Sequence, residues 1–326
     1  MVDRRTFITA AGSLIVPRFA CAAPPKGRML RIGTLGLVWA HDTTLGQVLT
    51  TALRTRGYVI GRDIVFEERT AESNAERLPS LAADLVQRNV DIIVAGPAVA
   101  IRAAHDATTM IPIVMAFSAD DPVKSGFVAN LARPGGNVTG ITALTRELAP
   151  KSLELLRDAV PGVSRIAVLT NPARPEHAEY FSMMEARRRP GVTLHRVAAR
   201  GPDQYESAFA AMTDMRADAV SILADVAFTH DCGRLATLAQ AHRLASTYPF
   251  RVFALAGGLL TYGPDEFELL DLAADYIDKI ANGANPAELP VQQPTSFHLA
   301  INTRTASGLG LTIPRSLLLR ADELIG

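Results

Sequence analysis

Cysteine is almost absent from this sequence, and its scarcity excludes several kinds of chemistry. The 326 residues include two cysteines, Cys21 and Cys232. Cys21 lies in an N-terminal segment that we expect to be removed, so the remaining thiol has no partner for a disulfide within the chain. A cofactor-independent racemase that works with two facing thiols is excluded for the same reason.

An excess of charge of one sign is also missing. Lysine and arginine together number 33, as do aspartate and glutamate, and the formal net charge is zero. Binding to a phosphate backbone needs a dense basic face, and since none is visible we expect no nucleic-acid partner. With 48% hydrophobic and 20% charged residues, the composition is typical of a soluble globular protein that is large enough for two cores.

The motifs of the common enzyme classes are missing as well. The chain has no H-E-x-x-H, C-x-x-C, G-x-S-x-G or phosphate-binding G-K-[ST] pattern, and the glycines of residues 33–36 lack the third glycine of a dinucleotide fingerprint. The seven histidines are scattered singly, and His230 with Cys232 gives too few ligands for a metal site. We therefore predict a protein that is not an enzyme and that holds no cofactor and no metal.

The first 22 residues follow different rules from the rest of the chain. Arg4 and Arg5 precede an apolar run over residues 9–16, and small residues follow up to Ala22. This order is typical of a twin-arginine export signal, so we predict cleavage after Ala22 and a mature protein in the periplasm. A chance basic amphipathic start and lipid attachment at Cys21 are the alternatives. No later apolar run approaches the length that spans a bilayer.

Short apolar runs alternate with amphipathic segments along the chain. Predicted strands such as Met29–Leu35, Ile113–Phe117 and Arg165–Leu169 are separated by predicted helices at the spacing of βαβ units, which indicates parallel sheets. In the second half, the pattern includes a helix over Thr229–Arg243 and a strand over Tyr248–Phe253. Because the same alternation restarts beyond Gly140, we predict two α/β lobes with a ligand cleft between them.

The C-terminal part is expected to connect the two lobes again. A helix is predicted from Glu266 to Ala281, followed by a strand over Phe297–Ile301 and a helix over Thr303–Leu309. We expect this part to cross back to the first lobe and return to the second, which gives three hinge crossings. The predicted boundaries are residues 29–142 plus 264–291 for lobe 1 and residues 143–263 plus 292–326 for lobe 2.

The segment from Asp120 to Gly140 follows an apolar strand and contains many helix-breaking residues. Asp120 and Asp121 come just after the strand, at the carboxyl end where open α/β sheets bind their ligands. The last residues of the segment lead into the second half of the chain. We interpret the segment as a wall of the ligand site that also approaches the hinge.

Other candidate site residues also follow predicted strands. Backbone N–H groups at Gly96-Pro97-Ala98 are candidates to hold a ligand carboxylate, although a plain strand-to-helix turn has the same pattern. Trp39, the single tryptophan, is either a stacking wall or a residue that packs the lobes together. Asn171 and Asp225 are candidates to bind an ammonium or hydroxyl group, and helix capping is the alternative for both. Tyr262 is a candidate aromatic cover, or else part of the core.

Longer stretches of the sequence carry a family resemblance. LARPGGNVTG at residues 131–140 and LTIPRSLLLRADELI at residues 311–325 are specific, and the similarity runs from Arg31 to Ile325. The chain resembles the ABC transporter substrate-binding proteins that include tryptophan- and tyrosine-binding proteins. The resemblance implies a type I periplasmic binding protein with two Rossmann-like lobes, three hinge strands and a ligand trapped by lobe closure, without catalysis.

The resemblance also implies partners and site residues. The partners are a small-molecule ligand and an inner-membrane ABC permease, and we expect a monomer; a sensory binding protein that signals to a membrane receptor is the alternative. The implied ligand positions are Trp39, His41, Gly96, Pro97, Ala98, Phe117, Ser118, Asp120, Thr139, Gly140, Asn171, Asp225 and Tyr262. Gly96-Pro97-Ala98-Val99 departs from the Thr-Pro or Thr-Gly of many relatives and loses a hydroxyl at the carboxylate loop. We expect a small organic ligand and favour an aromatic amino acid or, given the lost hydroxyl, an aromatic carboxylate; another small organic molecule is the alternative.

Overall fold

The computed structural model describes residues 28–37, 43–72, 74–143 and 145–326. The predicted export signal, Trp39 and His41 lie outside these residues, and the Phe117 side chain is not described. Within the described ranges, no helix combines the length and the apolar character needed to cross a membrane.

The first sheet is built from the N-terminal part of the chain. Its strands are β1 (Leu30–Gly36), β2 (Ile64–Thr70), β3 (Ile92–Ala95), β4 (Ile113–Ser118) and β5 (Val138–Thr142), and the helices α1 (Thr44–Thr55), α2 (Leu78–Gln87) and α3 (Ala98–Ala107) connect them. Among the described residues these five strands are all parallel, in the order β2-β1-β3-β4-β5. Strands β3 and β5 are entirely buried, as expected for a parallel sheet covered on both faces.

The second sheet follows the same plan, but its last two strands in the chain are reversed. Its strands are β6 (Arg165–Thr170), β7 (Thr193–Ala198), β8 (Ala219–Ile222), β9 (Ala245–Tyr248), β10 (Leu260–Gly263), β11 (His298–Asn302) and β12 (Glu323–Ile325). The order over these seven described strands is β12-β11-β10-β9-β8-β6-β7, and the β10–β11 pair is antiparallel. The helices are α4 (Thr145–Ala159), α5 (Glu176–Arg187), α6 (Tyr205–Asp214), α7 (Val226–His230), α8 (Cys232–Ala241), α9 (Arg251–Leu255), α10 (Glu266–Ala281), α11 (Thr303–Gly308) and α12 (Arg315–Leu318).

We call each sheet, with the helices packed on it, a lobe. Helix α10 follows β10 of the second sheet but packs against α1 and β4 of the first. Its residues Leu270 and Ile277 share a core cluster with Leu53 of α1. The chain then returns along β5, where the backbone N–H groups of Gln292 and Thr142 bond to Gly140 and Gln292 carbonyls at 2.9 and 3.0 Å. The chain thus passes between the lobes after β5, after β10 and after α10.

Gly140 in β5 has a backbone that only glycine tolerates well. Its φ is +126°, in a region that L side chains rarely adopt. A Cβ atom at this position would also overlap with the backbone of Met115 in β4. The glycine therefore permits the close approach of β4 and β5 immediately before the first crossing.

Two predicted elements of the second lobe were wrong. The segment Tyr248–Phe253 is not a strand, because β9 ends at Tyr248 and helix α9 begins at Arg251. Pro249 has no N–H group to donate to a sheet, and the buried Glu266 carboxylate accepts the N–H groups of Arg251 and Val252 at 3.2 and 2.8 Å. These bonds stabilise the first turn of α9.

The predicted helix Thr229–Arg243 is divided into α7 and α8 at Asp231. Asp225 caps α7, so the helix begins at Val226, three residues earlier than helical periodicity alone suggested. Strands β5 and β10 were missed, since both are short and contain glycine, which weakens a strand pattern. Strand β5 thus includes the last three residues of the segment from Asp120 to Gly140, where no strand was predicted.

Candidate functional site

Two polar side chains meet at the carboxyl edge of the second sheet. Asn171 follows β6 and Asp225 follows β8, and these two strands are neighbours in the sheet. The Asn171 Nδ2 atom donates to the Asp225 Oδ2 atom at 3.1 Å, and both side chains are buried. The sheet thus brings together two of the predicted site residues.

The capping role that the sequence left open for Asp225 is present in the structure. Its Oδ1 atom accepts the N–H groups of Ala227 and Phe228 at 2.8 and 3.4 Å and caps α7. The Asn171 Oδ1 atom likewise accepts the Ala173 N–H at 2.9 Å. Because the Oδ1 atoms of both side chains are held by backbone N–H groups, the Asn171–Asp225 pair has one orientation.

His177 of α5 holds the two strand ends together. Its Nδ1 atom accepts the Asn171 N–H at 2.9 Å, so the proton lies on Nε2, which donates to the Ala224 carbonyl at 3.1 Å. Burial lowers the pKa of the His177 imidazole, and the nearby Arg174 lowers it further. The ring therefore stays neutral. It acts as a rigid link between the backbone of Asn171 and that of Ala224, the residue before Asp225.

The loop after β4 in the first lobe touches the second lobe. The Tyr180 hydroxyl of α5 donates to the Ala119 carbonyl at 3.3 Å and lies 3.5 Å from the Asp120 Oδ1 atom. The Arg174 guanidinium lies 4.0 Å from the Asp120 Oδ2 atom and forms an ion pair with Glu176 at 2.5 Å. These contacts join the carboxyl ends of the two sheets across the cleft.

The environment of Asp120 is unusual for a loop carboxylate. Burial raises the pKa of the Asp120 carboxyl, and the negative charge of Glu176 raises it further, whereas Arg174 acts in the opposite direction. Asp120 is therefore a desolvated acid that depends on residues of the opposite lobe for its partners.

The other predicted residues of the first lobe lie in β4, in β5 and at the start of α3. Ser118 is fully buried and its hydroxyl accepts the Asp120 N–H at 3.2 Å, which shapes the loop. The Thr139 hydroxyl donates to the Leu289 carbonyl at 2.7 Å, so it is engaged with the return crossing. Gly96 and Pro97 lie directly before α3, which begins at Ala98. The first N–H groups of a helix have no acceptor within it.

Tyr262 lies in β10 and is half-buried, with its ring centroid 6.3 Å from that of Phe297. It packs against the core cluster of α4 and the second sheet. Tyr262 thus contributes to the core, which is one of the two roles that the sequence left open for it. Among the described residues, no group of three or more His, Cys, Asp and Glu side chains is placed to hold a metal.

Sequence reasoning missed the three α5-region residues His177, Tyr180 and Arg174. They were overlooked because each occurs singly in the sequence. One signal could have found them: a helix that starts soon after a strand end points its first inward side chains at the ligand edge of the sheet. His177 and Tyr180, three residues apart, lie on the same face of such a helix.

The sequence model of ABC transporter substrate binding proteins matches residues 40–325. The chain belongs to this family. The resemblance identified from the sequence is confirmed, and the protein is a substrate-binding protein of an ABC transporter, a type that binds small molecules.

A relative and two solved structures illustrate the similarity of this substrate-binding protein to others. The tyrosine-binding protein of Clostridioides difficile strain R20291 is 34% identical over 120 residues, which are 37% of this chain and 34% of that protein. A conserved domain protein from Vibrio cholerae O1 biovar El Tor strain N16961 has a TM-score of 0.82 and 26% identity, with 91% of this chain and 100% of that chain covered. The ABC domain of Streptococcus pneumoniae in complex with L-Trp has a TM-score of 0.81 and 24% identity, with 91% and 100% covered.

These structures confirm the predicted fold class of the substrate-binding protein. It is an α/β protein with two lobes built on parallel sheets, of the type I periplasmic binding protein fold.

Proposed function

We propose that this substrate-binding protein is the extracytoplasmic component of an ABC importer and traps an aromatic amino acid or aromatic carboxylate between its lobes. The observation that carries the proposal is the contact of Asp120 with Tyr180 and Arg174, beside the buried Asn171–Asp225 pair. Ligand groups held at this place are in reach of both lobes and are removed from water.

The polar ends of the ligand are assigned to opposite lobes. Asp225 and Asn171 would bind an ammonium or hydroxyl group, because backbone N–H groups and the bond between them fix both side chains, and His177 fixes the Asn171 backbone. The Ala98 N–H at the start of α3, which follows Gly96 and Pro97, would bind a carboxylate with the help of the helix dipole. The remaining predicted contacts, Trp39, His41, Phe117, Thr139 and Gly140, stay predictions.

The aromatic ligand class is supported by the relatives. The Clostridioides difficile relative is a tyrosine-binding protein, and the Streptococcus pneumoniae neighbour is in complex with L-Trp. Tyr262 and Tyr180 supply aromatic surface at a small chamber that is also lined by Ala224, the residue before Asp225. Aromatic rings bury a large area and prefer stacked or edge-on neighbours, which fits such a ligand.

Binding is proposed to shift the lobes toward a closed arrangement. A ligand that touches both lobes binds the closed form more tightly than the open one and so increases its population. The crossings after β5, β10 and α10 would serve as the hinge, with lobe 1 as residues 29–142 plus 264–291 and lobe 2 as residues 143–263 plus 292–326. The packing of α10 on the first sheet supports these boundaries. Export to the periplasm, a permease partner and a monomeric state belong to the same proposal.

The test titrates ligand-stripped protein with L-tryptophan, L-tyrosine, L-phenylalanine and benzoate, by calorimetry and small-angle X-ray scattering. We expect at least one of them to bind and to reduce the radius of gyration. If none binds, the proposed ligand class is wrong; if one binds without any compaction, lobe closure is wrong.

A charge-neutral variant tests the role of Asp225. Asp225→Asn keeps a good helix-capping side chain but removes the charge that would bind an ammonium group. We expect the affinity for an amino acid ligand to fall about 10- to 100-fold and that for benzoate to stay unchanged. Asp218→Asn is the matched control, because Asp218 bonds to backbone N–H groups at the opposite end of β8. An equal loss in both variants would exclude a direct contact.

A further inference from the structure

A small chamber lies inside the second lobe, directly beneath the candidate site. It has a volume of about 20 Å³ and lies between α4 and the carboxyl ends of β8, β9 and β10. Tyr180 and Ala224 are among its lining residues. Tyr180 contacts Ala119 of the first lobe, and Ala224 immediately precedes Asp225. The chamber is thus continuous with the edge of the sheet at which we place the ligand.

The chamber is lined by buried hydroxyl groups where a helix–sheet interface is usually apolar. Thr145, Ser152, Ser221 and Thr247 are each 6% exposed or less, and all four line it. Farther from this edge, the same interface is filled by Leu153, Leu156 and other apolar residues. The polarity is therefore confined to the end of the interface that approaches the ligand site.

Three buried hydroxyls of the chamber have no hydrogen-bond partner among the described residues. They are the Oγ1 atoms of Thr145 and Thr247 and the phenol of Tyr248, which also lines the chamber. A buried hydroxyl without a partner destabilises the folded protein. Such groups are expected where a further molecule supplies the missing partner.

We propose that the chamber is a subsite for one hydroxyl group on the ligand, so that the bound molecule is a hydroxylated aromatic acid. The volume admits a single group the size of a water molecule. None of the described lining residues is charged, which disfavours a carboxylate or an ammonium group. A hydroxyl both donates and accepts, and so it can satisfy the Thr145 and Thr247 hydroxyls together. This inference rests on the proposed aromatic ligand and adds the substituent that selects it.

The test uses ligand pairs that differ by one hydroxyl group, with the ligand-stripped full-length protein. The pairs are L-tyrosine with L-phenylalanine and 4-hydroxybenzoate with benzoate, titrated by calorimetry. We expect the hydroxylated member of at least one pair to bind about tenfold more tightly, the effect of one good buried hydrogen bond. If no pair shows this difference although members bind, the chamber holds only a structural water and the inference is wrong.

Thr247→Val locates the effect. Valine keeps the shape of threonine and removes its hydroxyl, so we expect the tenfold preference to disappear while the affinity for the ligand without a hydroxyl is unchanged. Thr261→Val is the matched control, because Thr261 is a buried threonine of the neighbouring strand β10 that does not line the chamber. A preference that survives in Thr247→Val would overturn the proposal. If Thr247→Val does not fold, titration of the ligand pairs with the unaltered protein still shows whether the hydroxyl group is recognised.

The outcomes separate this inference from the proposed function. Aromatic acids that bind without regard to the hydroxyl leave the proposed function standing and remove the subsite. If no aromatic acid binds, the proposed ligand class fails and the subsite assignment fails with it.

Discussion

At the scale of single residues, His177 determines the geometry of the candidate site, although it is not one of the predicted ligand-contacting residues. His177→Phe would leave the buried Asn171 N–H and the Ala224 carbonyl without partners. We expect the free energy of unfolding to fall by about 2–3 kcal/mol, with weaker ligand binding because the Asn171–Asp225 pair loses its support. Urea unfolding and calorimetry measure the two effects.

His195→Phe is the control for this substitution, because His195 lies half-buried in β7, away from the strand ends. It should change the free energy of unfolding by less than about 0.5 kcal/mol. A His177→Phe variant as stable as the unaltered protein would show that His177 does not link the strands.

At the scale of elements, Glu266 connects helix α10 to helix α9. Its carboxylate accepts the first N–H groups of α9, and burial raises its pKa to about 7 from an ordinary value of 4.5. Between pH 4.5 and pH 7 the folded state therefore holds a proton that the unfolded state has released. The stability contributed by the Glu266 carboxyl therefore falls as the pH rises through that window.

Glu266→Gln tests this dependence, because glutamine keeps an acceptor oxygen and does not titrate. We expect the free energy of unfolding of the unaltered protein to decrease by up to about 3 kcal/mol between pH 4.5 and pH 8, relative to the variant. Urea unfolding across this pH range gives the measurement. Glu268→Gln, at an exposed position of the same helix, should behave like the unaltered protein. Parallel pH profiles of Glu266→Gln and the unaltered protein would contradict the prediction.

At the scale of the whole molecule, the Tyr180 hydroxyl is one of the contacts that join the lobes. Tyr180→Phe removes its bonds to the first lobe and keeps the ring. We expect ligand affinity to fall about three- to tenfold and the ligand to dissociate faster, because the closed form loses one contact. Stopped-flow measurement of ligand release, together with small-angle scattering, distinguishes weaker closure from unfolding.

Tyr205→Phe is the matched variant for the same measurement. The Tyr205 hydroxyl donates to Asp231 at 2.9 Å, a bond that lies entirely within the second lobe. If both variants release the ligand at the same rate, the Tyr180 contact between the lobes does not stabilise closure.

The sequence by itself determined the class of the molecule. Apolar runs at βαβ spacing are enough to specify parallel sheets, because a strand buried on both faces must be apolar along its length. The long stretches at residues 131–140 and 311–325 identified the family, which the match over residues 40–325 confirms. Asn171, Asp225 and Asp120 could be selected because the ends of strands can be read from local pattern alone.

Only the tertiary structure decided which of these residues meet. Asn171 and Asp225 are 54 positions apart and touch because β6 and β8 are neighbours, although β7 lies between them in the chain. The same adjacency makes His177 a link, and the adjacency of β8, β9 and β10 creates the hydroxyl-lined chamber under α4. Strand order is set by how helices and sheets pack as a whole, and no local segment of the sequence contains that information.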